Sequence, residues 1–208
     1  MAGSCTRAAS APEAVRRCPP AVERCARARI LAVIRRSTVP EDPAHAENTL
    51  AWLLRLAPEA DCALRIAALA HDIDRALPEG ERVRRADFDD YDAFKAAHAR
   101  NGARVLEGIL RGCGAPGPLI REACRLVALH EFGGDPRADL LRDADSLSFY
   151  ETNLPLYLAR EGEAEALRRA RWGYGRLSPR ARDLLATIRH GEAAVDRIIA
   201  RCAEPGRP

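Results

Sequence analysis

Residues 64–77 read LRIAALAHDIDRAL. Apart from Arg65, Leu64–Ala70 is wholly apolar, a pattern that suits a helix enclosed by its neighbours rather than one lying at the surface. His71 and Asp72 then enter where the pattern calls for core. A carboxylate placed there is costly unless a cation or good hydrogen bonds compensate it, so a positive partner is expected beside it. Consecutive helical residues point roughly 100° apart, so His71 and Asp72 can approach one ion from neighbouring directions while the helix continues.

On either side, the chain repeats the same kind of element. Runs rich in Ala, Leu, Arg and Glu place apolar residues three and four apart, and clusters of Val, Ile and Thr that would make strands are few. Asp42-Pro43, Asp135-Pro136 and Ser178-Pro179 each set a capping oxygen before a proline suited to a first helical turn. Pro78-Glu79-Gly80, Gly112-Cys113-Gly114 and Gly133-Gly134 supply breaks. The expected fold is all-α, a bundle of about seven or eight helices over 22–36, 43–57, 61–77, 90–111, 118–131, 136–150, 154–170 and 179–202. Residues 1–20, basic and of low complexity, are expected to form a disordered extension, and 21–208 a single domain. The first residues carry no apolar run of the kind a secretory signal needs.

Composition bounds the function. The 208 residues are 47% hydrophobic and 5% aromatic, enough for one real core. Every apolar run is interrupted well short of the roughly 18 residues of a membrane-spanning helix, so no membrane role is expected. Thirty-three Lys and Arg against thirty Asp and Glu give a net charge of +3, too balanced for a protein that works by neutralising a nucleic-acid backbone. The charge is unevenly spread: residues 39–155 hold 14 basic and 21 acidic side chains, and both flanking stretches are net basic. Seven scattered cysteines (Cys5, Cys18, Cys25, Cys62, Cys113, Cys124 and Cys202) show no metal-binding spacing and are expected as reduced thiols in a cytoplasmic protein, Cys62 and Cys124 packing in the core.

Four of the five histidines fall in the acidic block, one per expected helix: His45, His71, His98 and His130, with His190 remote. Any one of them alone is ordinary. A second polar intrusion into an apolar pattern is Asp145 in LLRDADSLSFY, whereas Asp143 faces elsewhere, as a surface residue or a partner to a ligand. In SFYETN, Glu151 and Asn153 are open to capping or to lining a pocket.

The order His45, His71-Asp72, Asp145 resembles the HD superfamily of metal-dependent phosphohydrolases, whose signature is H…HD…D. Ala144-Asp145-Ser146-Leu147 matches the setting of that family's last aspartate, and the resemblance covers roughly residues 42–150. His98 and His130 stand where binuclear members carry further histidines, extending the pattern to H…HD…H…H…D. The resemblance implies two divalent transition metal ions, with Fe, Mn, Co, Ni and Zn indistinguishable. His45, His71, Asp72 and Asp145 would hold one, and His98 and His130 the other, with Asp72 shared. The implied reaction is hydrolysis of a phosphoester or phosphoanhydride by a metal-bridging hydroxide, on a small phosphorylated molecule such as a nucleotide. Asp72 would also orient the water, and His98 or His130 would protonate the leaving group if only one metal binds.

Within the superfamily the arrangement looks most like the small bacterial nucleotide phosphohydrolases, including the symmetrical dinucleoside tetraphosphate hydrolases. Here His130-Glu131-Phe132-Gly133 replaces their His-Thr-Thr-Gly. HD-type di-iron oxygenases share the same six ligands, and a nucleotide-sensing module with an idle metal site is a third reading. Lys95, one turn before His98, either reaches a substrate phosphate or lies solvated along its helix. In RRARWGYGRLSPRAR, the arginines around Trp172 and Tyr174, Arg171 and Arg176 among them, either meet a nucleotide or form a solvated face.

Overall fold

The apolar segment becomes the axis of the fold. The computed structural model describes residues 18–204, so Cys5 and most of the expected extension lie outside the described residues. The chain forms α1 (Pro20–Ile34), α2 (Asp42–Leu56), α3 (Cys62–Ala70), α4 (Tyr91–Gly112), α5 (Gly117–Leu129), α6 (Pro136–Ser148), α7 (Leu154–Glu161), α8 (Glu163–Arg176), α9 (Pro179–Leu185) and α10 (Ala193–Cys202). No strand occurs among the described residues, and none of their helices is long and apolar enough to cross a membrane.

Every residue of α3 except Arg65 is buried. A helix that is apolar on all sides needs neighbours on all sides, and α1, α2, α5 and α6 supply them. Leu53, Ile66, Leu106, Leu126 and Leu141 fill the space between these helices, each at 1% exposure or less and each contributing about 1.5–3 kcal/mol by leaving water. At the rim, the Trp52 indole donates to Glu151 at 2.7 Å, and Asn48 donates to the same carboxylate. Glu151 thus braces α2 and does not cap a helix.

Several boundaries differ from those read in the sequence. The helix expected over 61–77 stops at Ala70 and continues as a tighter turn over Ile73–Ala76. The expected 136–150 helix passes at Ser148 into a wider π-helical turn over Phe149–Asn153. Gly162, at φ +83°, divides the expected 154–170 helix within a run of good helix formers, and Gly191, at φ +74°, lies in the gap between α9 and α10. Asp135 and Ser178 cap α6 and α9. Asp42 instead lies inside α2, where its carboxylate accepts from Ser37 at 2.6 Å and pairs with Arg75 at 3.0 Å.

The expectation of uniformly reduced thiols is corrected at one pair. Cys25 on α1 and Cys113 at the end of α4 form a disulfide across a sequence separation of 88 residues. Packing of α1 against α4 creates that proximity, which linear spacing cannot reveal. Cys18, Cys62, Cys124 and Cys202 are free.

Candidate metal centre

The stop at the end of α3 is where the centre begins. Asp72 leaves the helical conformation at φ −100°, ψ 17°, which turns its carboxylate toward side chains delivered by the surrounding helices. His45 comes from the first turn of α2, His98 from α4, His130 from the residue after α5, and Asp145 from α6. The four histidines are each exposed by 3% or less.

The outer hydrogen bonds fix which nitrogen each ring presents inward. A carbonyl can only accept, so His71 Nδ1 donates to Ala68 O at 3.0 Å and His130 Nδ1 to Val127 O at 2.7 Å. His98 Nδ1 donates to the Asp74 carboxylate at 2.9 Å. The Ser148 hydroxyl gives its hydrogen to His45 O and therefore accepts from His45 Nδ1 at 2.8 Å. In the neutral form of each ring Nε2 is then the unprotonated, lone-pair-bearing atom, and all four Nε2 atoms face the carboxylates. This division of roles between the two ring nitrogens is that of metal-ligating histidines.

The inward atoms fall into two groupings, in each of which the ligand atoms lie within 4.8 Å of one another: His45, His71 and Asp145, and Asp72, His98, His130 and Glu131. His45 Nε2 and His71 Nε2 face each other at 3.1 Å, with Asp145 Oδ1 3.2 and 3.5 Å away. Asp72 lies between the groupings. Its Oδ2 is 3.9 Å from His45 Nε2 and 3.8 Å from His71 Nε2, and its Oδ1 is 2.9 Å from His98 Nε2 and 3.7 Å from His130 Nε2. His130 Nε2 is buried without a hydrogen-bond partner. Bare ring nitrogens, paired carboxylates and an orphaned buried nitrogen fit a cation better than they fit each other, so these clusters could hold metal ions.

The electrostatics agree. Burial opposes the charge on Asp72, but His71 and Arg75, with the His130 and His98 rings beside it, hold its carboxyl well below the usual carboxylate range. Burial likewise opposes Asp145, which the adjacent His45 and His71 rings and the charge of Arg176 hold well below that range. Burial disfavours protonated His130, yet Glu131 and Asp72 push its pKa up to about 10; His98 is raised too, against burial, by Asp72 and Asp74. Without metal, the His130 charge therefore adds stability that is complete below the unfolded pKa near 6.5 and is lost as pH rises through about 10. Metal must displace these protons. Calorimetric titration should show affinity rising from about pH 6 to about pH 8, with proton release that scales with buffer ionisation enthalpy.

Four further residues complete the centre, none of them singled out as a site residue in the sequence. Asp74 orients His98 and is itself held by Asn101 and by Val83 N. Glu131 is buried beside His130, paired with Lys95 and with Arg176 at 3.4 Å. Ser148 holds His45. Arg169 lines the cleft that opens beside Asp72 and His98. Two of these carry a faint linear signal, since Asp74 and Glu131 are acids adjoining the histidine motifs in apolar surroundings. Replacing Ser148 by alanine frees the His45 ring and should weaken metal binding about 10–100-fold by calorimetry, with the fold intact.

The remaining predicted residues have clear positions. Lys95 lines the cleft while pairing with Glu131 and lying over the rings of Tyr91 and Trp172. Arg176 reaches the centre, 3.5 Å from Asp145 Oδ2, and donates to Glu131 O at 3.1 Å. Arg171 is not among the residues lining the cleft, and its charge acts on Cys202 instead. Asp143 is buried and accepts from Ser178 N at 2.9 Å, joining α6 to the start of α9. A third grouping, Cys18, Glu23 and Cys62, offers a metal less: burial raises both thiol pKa values, and Glu23 is engaged by two nitrogens of Arg65.

Residues 29–198 match the model of a family described as a domain of unknown function, DUF4202. The chain belongs to this family. The matched span contains the whole centre, from His45 to Asp145, together with Arg169 and Arg176. No match to the chain is found among curated proteins, and none among solved structures.

Proposed function

We propose that this chain is a metal-dependent phosphohydrolase of the HD superfamily, cleaving a phosphoester or phosphoanhydride bond, with a nucleotide as the favoured substrate class. The supporting observation is the convergence of four histidine Nε2 atoms on Asp72, whose two oxygens are divided between them. His45, His71, Asp145 and Asp72 would hold one divalent transition ion, and Asp72, His98 and His130 the second, with Glu131 within the same grouping. When bound, such ions supply Lewis acidity toward a phosphoryl oxygen and toward an attacking water.

The chain's own groups supply the rest. Asp72, ionised at neutral pH, can accept a hydrogen bond from the attacking water on the cleft side. Lys95 is held by Glu131 at the cleft wall, where its ammonium can donate to a phosphate or leaving oxygen. Arg176 and Lys95 both pair with Glu131 and so offset its charge beside the centre. Tyr91 and Phe94 offer ring faces in a cleft of about 430 Å³, a size that encloses a small ligand.

The test is a hydrolysis screen on nucleotides and simple phosphate esters with protein stripped of metal and reloaded with Mn, Fe, Co, Ni or Zn. Phosphate or nucleoside phosphate should appear only after reloading. Reloaded protein inactive on every phosphate ester contradicts the proposal; oxygen consumption by the iron form would indicate an oxygenase, and tight nucleotide binding without turnover a sensing module.

A further inference from the structure

The cleft carries four cations: Arg75, Lys95, Arg168 and Arg169. Three are neutralised in place. Arg75 pairs with Asp72 and Asp42, Lys95 with Glu131, and Arg168 binds Glu165 through two nitrogens. The nearby Glu165 is further occupied by the Tyr157 hydroxyl. Arg169 has no carboxylate partner among the described residues. Its guanidinium instead lies 4.2 Å from the Trp172 ring centre and 4.8 Å from that of Phe149. Ring contact holds a guanidinium in place while leaving its N–H donors free, the arrangement suited to meeting an anion. Trp172 also contacts Arg176 at 4.5 Å, so the indole supports arginines rather than offering a bare face to a base.

We propose that Arg169 receives a second anionic group of the substrate, which makes a diphosphate the preferred substrate class: one phosphoryl group lies at the metal centre and its neighbour at Arg169. The inference rests on the phosphohydrolase reading and deepens it. The cleft volume fits, since about 430 Å³ exceeds what a single phosphoryl group fills. Replacing a charge-assisted hydrogen bond by none should change affinity about tenfold or more.

The experiment is calorimetric titration of the Mn-loaded protein with two hydrolysis-resistant probes, the α,β-methylene analogue of ADP and the methylene phosphonate analogue of AMP. Wild type should bind the first about tenfold more tightly. Arg169→Met, which keeps an apolar stem against the two rings, should abolish that preference while changing affinity for the second probe less than about twofold. Arg169→Lys should retain part of the preference, and it replaces the methionine variant if that one fails to fold. Equal binding of both probes by wild type, or equal loss of both in the variants, overturns the inference and leaves hydrolysis untouched. Binding that follows Arg169, in a protein that hydrolyses no phosphate ester, overturns the phosphohydrolase reading instead.

Discussion

Asp72→Ala should lose bound metal at both groupings together and reduce phosphate release by more than about 100-fold, beyond what loss of a merely supporting partner costs. The expectation follows from the position of one carboxylate between two sets of imidazoles. Removing His45 or His98 takes one donor from one set, whereas removing Asp72 takes a donor from both. Metal-free protein should suffer as well: Arg75 and the raised His98 and His130 lose a shared anion in a buried setting, at a cost of about 3–5 kcal/mol in denaturant unfolding. Elemental analysis of wild type and variant purified alike checks the first effect. Retention of full metal content by Asp72→Ala would remove the shared-carboxylate account.

Breaking the Cys25–Cys113 bridge should destabilise the protein without altering the centre's ligands. It closes a loop of 88 residues, for which restriction of the unfolded chain is worth about 4–5 kcal/mol. Cys25→Ser with Cys113→Ser, or wild type under reductant, should therefore unfold at markedly lower denaturant concentration than oxidised wild type. Both cysteines are partly exposed, so a soluble reductant reaches the bond. Coincident unfolding curves with and without reductant would show that the bridge contributes nothing.

The centre was legible in the sequence where polar residues broke apolar patterns. His71 and Asp72 stood out because seven nearly unbroken apolar positions precede them, and Asp145 because its neighbours pack. Asp74, Glu131 and Ser148 were not legible as partners, because their roles depend on which ring nitrogen another helix presents. The arginine-rich stretch shows how a boundary error propagates. With the helix expected to end at 170, the phase of residues 171–176 could not be read. Once α8 runs to Arg176, Arg169, Trp172 and Arg176 fall three and four apart on one face, and Arg171 turns away. Gly162 concealed the break because Glu and Ala on both sides favour helix. The disulfide was illegible in principle, since it reports the packing of α1 on α4 and no local pattern.

Anomalous X-ray diffraction from crystals soaked in Mn tests the central claim most directly. The account predicts two peaks on opposite sides of the Asp72 carboxylate, one among His45, His71 and Asp145 and the other beside His98 and His130. Manganese found only at other sites, with the four imidazoles hydrogen-bonded to one another and to the carboxylates alone, would contradict it.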